Sequence, residues 1–153
     1  MLQELNFPSY PFKIRRTGEV MEIWDAQRKK WVVLTPEEWV RCHLVQYLIQ
    51  EKQYPAGLVS VEQSLRVFGL NRRADVVVYN REGKPLLLAE CKAPGVRISQ
   101  EVFDQATRYN ISLGVPVLVV TSGMEHFCCT LHRSTGKFQF VPEIPGAEEM
   151  LVL

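Results

Sequence analysis

Apolar and polar positions divide the chain into short segments whose period switches between two, the strand spacing, and about three and a half, the helix spacing. Residues 12–34 read as a small antiparallel meander. Phe12-Lys-Ile-Arg-Arg16 leads into Thr17-Gly18, a turn signal, and then into Val20-Met-Glu-Ile-Trp24. Asp25 to Lys30 is a polar connection, and Trp31-Val-Val-Leu34 returns as a third strand. Thr35-Pro36-Glu37-Glu38 then marks a helix start. Thr35 can cap, Pro36 suits the first helical position, and Glu38 stands where a capping box needs its carboxylate. The helix carries Trp39, Val40, Leu44, Val45, Leu48 and Ile49 towards Gln53 and ends at Tyr54-Pro55-Ala56-Gly57. Apolar residues fall on most of its sides, so it is predicted to be largely buried.

Three strands are predicted next, over 58–65, 73–79 and 86–92, with Asn80-Arg-Glu-Gly83 turning the last two into a hairpin. Residues 98–113 read as a second helix, begun from Ser99 and left at Gly114. Val115-Pro-Val-Leu-Val-Val120 is an unbroken apolar run, the pattern of a strand covered on both faces. Residues 127–131 and 137–141 form a further hairpin around Ser134-Thr-Gly136, and 142–153, with Pro142, Pro145 and Gly146, reads as a loosely held tail. The order predicts a single α/β domain over 1–153. It comprises a meander (12–34), a core (35–132) built on one mixed sheet flanked by helices, and the tail.

Composition narrows the setting more than the function. The 153 residues are 46% hydrophobic and 23% charged, an ordinary soluble balance, and are enough to bury a core without staples. No apolar stretch approaches the length needed to cross a bilayer, and the opening Met-Leu-Gln-Glu-Leu-Asn is no secretory signal, so a cytoplasmic protein without a membrane partner is expected. A net charge of +1 does not announce a nucleic-acid partner, and the basic clusters (Arg15-Arg16, Arg28-Lys29-Lys30, Arg72-Arg73) read more readily as solvated turns than as phosphate sites. The cysteines, Cys42, Cys91, Cys128 and Cys129, form no C-x-x-C pair. His126, Cys128 and His132 share one face of a predicted strand, but they spread over about 20 Å, too far for one zinc ion.

The chemistry gathers elsewhere. Asp75 lies in Arg73-Ala-Asp-Val-Val-Val-Tyr79, and Glu90-Cys91-Lys92 closes the following apolar strand. The strand period sets Leu86, Leu88, Glu90 and Lys92 on one face, and the hairpin lays the Asp75 strand alongside. Two carboxylates and an ammonium should therefore meet at one rim of the sheet. Carboxylate oxygens suit Mg²⁺, which polarises a phosphate and acidifies a bound water, and a lysine can orient or deprotonate that water. Taken alone, Glu90 and Lys92 would be an exposed pair at a strand end. The aspartate on the neighbouring strand, the apolar lead-in and the helix that follows favour the chemical reading.

Ala74-Asp75…Glu90-Cys91-Lys92 resembles the PD-(D/E)XK nuclease motif, with alanine in place of its proline. Leu34-Thr-Pro-Glu-Glu-Trp-Val-Arg41, Arg73-Ala-Asp75 and Leu86-Leu-Leu-Ala-Glu-Cys-Lys-Ala-Pro94 are similar to the N-terminal nuclease domain of type I restriction enzyme R subunits. Gln105-Ala-Thr-Arg-Tyr109 resembles the Q-x-x-x-Y element that follows the motif there, and the likeness spans residues 12 to 132. It implies a restriction-endonuclease-like fold and a metal-dependent nuclease acting on DNA. Asp75 and Glu90 would be ligands to Mg²⁺ (Mn²⁺ as substitute), Lys92 the catalytic lysine, and Gln105, Tyr109 and Arg73 accessory residues near DNA. Read without the family, Tyr109 is a core aromatic. Glu37 or Glu38 would complete the metal shell, unless both simply complement the helix dipole. Gly136-Lys137 lacks the flanking residues of a P-loop, so no motor is present in these residues. The implied partners are DNA and other restriction-system subunits, and a homodimer would place two sites for cutting two strands. A non-catalytic module that binds nucleic acid or docks into a larger defence complex is the alternative.

Overall fold

A computed structural model describes residues 2–67, 70–132 and 134–151, excluding the side chains at 66, 67, 70–72, 109, 111 and 112. The meander forms as expected: β1 (Ile14–Thr17), β2 (Val20–Asp25) and β3 (Lys30–Val33) make an antiparallel sheet in the order β1-β2-β3. Gly18 takes φ +65° in the first turn, a conformation that costs glycine little. One face of this sheet buries Ile23 completely. The other carries a cross-strand Trp24–Trp31 pair, with the Arg15 guanidinium 4.3 Å from the Trp31 ring centre.

Helix α1 (Pro36–Gln50) leads to a 3₁₀ turn (Ala56–Leu58) and the main sheet. That sheet holds β4 (Val59–Val67), β5 (Leu70–Tyr79), β6 (Pro85–Cys91), β7 (Val117–Thr121), β8 (His126–His132) and β9 (Lys137–Val141), in sequence order. Only β6 and β7 run parallel, and α2 (Gln100–Leu113) makes the crossover between them. Every other neighbouring pair is antiparallel.

Both faces of the sheet are covered, so the central strands read as apolar runs rather than alternating ones. Val76, Val78, Leu87, Ala89, Val117 and Val119 pack with Val40, Leu44 and Leu48 of α1. Val77, Leu88, Leu118 and Val120 pack with Phe103 and Ala106 of α2. Each such fully buried aliphatic contributes roughly 1.5–3 kcal/mol over its exposed state. Leu86 joins the α1 cluster and Leu88 the α2 cluster, rather than the two sharing one inward face, because the β5–β6 register shifts between Val78 and Tyr79 and leaves Leu86 out of the regular pairing.

The predicted caps are present. Thr35 Oγ1 accepts the Glu38 N–H at 3.1 Å, Ser99 Oγ accepts the Val102 N–H, and Gly114 ends α2 in the left-handed region. The capping box is only half formed, because the Glu38 carboxylate turns to arginines instead of the Thr35 N–H. The tail through residue 151 is held more firmly than its prolines suggest. Ile144 and Ala147 are buried, Tyr54 donates its hydroxyl to Pro145 O at 2.6 Å, and a short helix α3 (Ala147–Met150) docks through Ala147 N–H to Lys52 O.

Candidate active site at the parting of two strands

β5 and β6 are paired from Tyr79↔Pro85 to Val76↔Ala89, and their ladder stops there. Beyond that point the Asp75 carboxylate does the work of a strand partner: its Oδ2 accepts the Cys91 N–H at 2.7 Å. Charged acceptors make short, strong bonds to backbone donors, so this contact fixes Asp75 against the end of β6. Glu90 stands one residue before Cys91 and is half-buried. Burial pushes its carboxyl above the ordinary range, the Lys92 ammonium pulls it back, and the Asp75 charge raises it further. Lys92 leaves β6 with its N–H on Thr121 O at 2.8 Å, so the adjoining strand β7 holds its backbone in place. Asp75 thus adjoins the Glu90-Cys91-Lys92 end of β6, where the two strands part.

The first turn of α1 faces the same region, and it separates its two glutamates. Glu38 accepts from Arg28 Nη2 at 3.0 and 3.3 Å and forms a close ion pair with Arg41. Glu37 is exposed, without an ion pair among the described residues, yet its charge acts on Cys91. Arg73 is an exposed strand residue whose Nε lies 3.2 Å from Glu62 Oε2. Gln105 is exposed on α2, and no hydrogen bond ties it to the carboxylates among the described residues. Tyr109 lies one turn further along α2, and its side chain is outside the described residues. His126, from the strand considered for zinc, has Nε2 on Asn6 O and Nδ1 on Thr121 Oγ1, while Cys128 is buried and His132 exposed.

Two residues of the site were not singled out from the sequence. Arg41 is 6% exposed and forms ion pairs with Glu38, with Glu62 Oε1 at 2.8 Å and with Asp75 Oδ1 at 3.2 Å. Burial alone would push its pKa down; the carboxylates of Glu38, then Asp75 and Glu62, outweigh that and hold it above the ordinary arginine value. A lone arginine among the buried positions of α1 was the available signal, since a buried charge implies a buried partner. Glu62 gave none, because an acidic residue between Val61 and Gln63 reads as the outward position of a strand.

No three His, Cys, Asp or Glu side chains among the described residues stand close enough together to hold a metal ion. What the site offers is two carboxylates, Asp75 and Glu90, and an open groove lined by Arg16, Trp39 and Ala93-Pro94-Gly95 beside the loop leaving Lys92. Two protein carboxylates suit Mg²⁺, which characteristically keeps waters and takes further oxygens from substrate phosphates. Asp75 already serves Arg41 and Cys91, but each carboxylate oxygen has a second lone pair, so acceptor capacity remains.

The fold and site define a mixed α/β domain, covered on both faces, with a cluster of carboxylates and a lysine where two neighbouring strands part. The chain belongs to the family described as type I restriction enzyme R protein N terminus (HSDR_N), whose model matches residues 36–145. In structure it is similar to a fragment of a putative HsdR subunit of a type I restriction enzyme from Vibrio vulnificus YJ016, with a TM-score of 0.53 and 21% identity. That match covers 76% of this chain and 24% of the other, so the present chain spans about a quarter of that fragment. No curated protein matches the sequence.

Proposed function

We propose that this chain carries a Mg²⁺-dependent nuclease site of the PD-(D/E)XK type that hydrolyses phosphodiester bonds in DNA. The observation that supports the reading is Asp75 bonded to the Glu90-Cys91-Lys92 end of β6 where the β5–β6 ladder stops, in a chain of the R-subunit N-terminal family. Bound by Asp75 and Glu90, Mg²⁺ (or Mn²⁺) would supply Lewis-acid polarisation of the phosphate and a more acidic bound water. Lys92 would then orient the attacking water and take up its proton, or offset charge developing at phosphorus. Glu37, exposed at the start of α1, is better placed than Glu38 to add an oxygen, because Glu38 is engaged by two arginines. Arg73 and Arg16 would meet phosphates beside the site, and Gln105 and Tyr109 would aid orientation from α2. The partners would be DNA and the other subunits of a restriction complex.

The test is cleavage of plasmid and single-stranded DNA with and without Mg²⁺ or Mn²⁺, by the wild type and by Asp75→Asn and Glu90→Gln. The expected result is metal-dependent cleavage lost in both variants, with Mn²⁺ binding by calorimetry lost alongside it. A wild type that neither cleaves nor binds Mn²⁺, even with DNA present, would overturn the reading. Salt-sensitive DNA binding that is indifferent to Mg²⁺ would point instead to a docking module.

A further inference from the structure

We propose that Glu62 and Arg41 are positioning residues of the Asp75 site, with Glu62 aiming the guanidinium that, together with the Cys91 N–H, fixes the Asp75 carboxylate. Three observations meet here. Along β4–β5 the paired residues include Val61↔Val76 and Gln63↔Ala74, but the pairing is interrupted between them, at Glu62 and Asp75. At that interruption Glu62 has φ +53°, in the left-handed region that non-glycine residues rarely occupy. Its carboxylate, 18% exposed, reaches Arg41 with one oxygen and Arg73 with the other.

A strained backbone persists only where surroundings over-determine it, and such residues concentrate at functional sites. Here the strain has an identifiable consequence. A local irregularity in a strand re-aims the side chain it carries. The Glu62 carboxylate then shares one nitrogen, Arg41 Nη2, with Asp75 Oδ1. The other terminal nitrogen, Nη1, is committed to Glu38. With α1 on one side and β4 on the other, the guanidinium is anchored at both ends and is among the most buried charged groups described. Asp75 is therefore gripped on Oδ1 by Arg41 and on Oδ2 by the β6 backbone, a two-point hold on a single rotamer. Neither Glu62 nor Arg41 need touch substrate to act in this way.

The catalytic significance of the device rests on the nuclease reading above; the hold on Asp75 does not. Two measurements on Glu62→Gln and Glu62→Gly separate them, with Arg41→Lys as the conservative partner. Glycine accepts the positive φ at Glu62, so Glu62→Gly removes the carboxylate while relieving the backbone, and loss of folding does not confuse the result. Without metal or DNA, the Cys91 amide should exchange with solvent about tenfold faster in both Glu62 variants, while the Lys92 amide, held by Thr121 O, stays protected. In the nuclease assay both should lose about tenfold or more in kcat with little change in KM, as expected when a reacting group is misplaced. Arg41→Lys should recover part of the Cys91 protection that Arg41→Met loses. Unchanged Cys91 exchange in both Glu62 variants would overturn the proposal whatever the enzyme does. A wild type without nuclease activity, combined with accelerated Cys91 exchange in the variants, would sink the nuclease reading and leave the positioning device standing.

Discussion

Asp75→Ala is the substitution any test of the site will use first, and its cost to the fold can be worked out beforehand. The sequence alone makes Asp75 a solvent-facing charge whose removal leaves the fold largely intact. In the structure its side chain is 23% exposed and holds two partners. Truncation leaves the Cys91 N–H, now at a buried strand end, without an acceptor, at about 1–3 kcal/mol. Arg41 loses one of three carboxylates but keeps Glu38 and Glu62, so its part is smaller, about 0.5–1 kcal/mol. Against these stands relief for Glu90, whose carboxyl the Asp75 charge disfavours. The net expectation is a loss of about 2 kcal/mol, or about 4–8 °C in Tm for a domain of this length. Asp75→Asn keeps an acceptor for the Cys91 N–H and should cost about half as much. Urea unfolding followed by far-UV circular dichroism measures both. A loss under about 0.5 kcal/mol for Asp75→Ala with an unchanged m-value would refute the two-point hold, since that is what an ordinary surface change costs. Loss of metal binding in Asp75→Ala is thus to be read only at temperatures where the variant remains folded.

Three further outcomes are expected. Glu90→Gln should stabilise the protein at pH 7 but not below pH 4.5. The folded-state pKa of Glu90 is raised above its ordinary value of 4.5, so its contribution is full below that value and is lost as pH rises through the folded one; a chemical-denaturation series over pH 4–8 with the same difference throughout would contradict it. His43 is buried among Phe7, Tyr10, Phe12 and Trp39, and burial lowers its pKa below 6.5, so stability should fall as pH drops below 6.5. Faster exchange of the Asn6 amide, bonded to Gly123 O, would show the N-terminal segment loosening at pH 5.5 and not at 7.5. Gly123→Ala should cost about 1–3 kcal/mol, because φ is +82° there and a Cβ would meet Leu5 at 3.0 Å and Val40 at 3.1 Å; a Tm equal to that of the wild type would show that Leu5 yields freely.

The periodic part of the fold was legible because its causes are local. Thr35, Ser99 and Gly114 act on the turn they sit in, and apolar runs such as Val117–Thr121 report burial on both faces directly. The adjacency of the Asp75 strand and the strand ending in Glu90-Cys91 was legible for a related reason, since a hairpin fixes neighbouring strands. What escaped depends on contacts far apart in sequence. The tail reads as loose from Pro142, Pro145 and Gly146, but Tyr54 and Lys52 at the end of α1 fasten it across the fold. Glu38 satisfies the capping-box spacing, yet Arg28 in the meander and Arg41 on the helix compete for its carboxylate and win, because a paired charge outweighs one backbone N–H.

The same competition explains why the acidic cluster is stable as it stands. Glu38, Glu62, Asp75 and Glu90 gather around one corner of the sheet, and four like charges in a partly buried corner would be expected to protonate or separate. Arg41 prevents this from within, contacting the first three at once, while Lys92 offsets the fourth. Arg28 and Arg73 share the outer oxygens. Glu90 is left as the carboxylate with the least compensation: burial raises its pKa, and no ion pair holds it among the described residues. In the proposed metal site, a divalent cation would gain most from Glu90, whose charged form burial disfavours. Asp75 arrives already oriented, and Glu90 arrives under-neutralised. In that proposed site the two carboxylates would contribute differently, Asp75 through geometry and Glu90 through electrostatic demand. Calorimetry should then show proton release on Mn²⁺ binding to the wild type that grows as pH falls, and Glu37→Gln should leave that release unchanged.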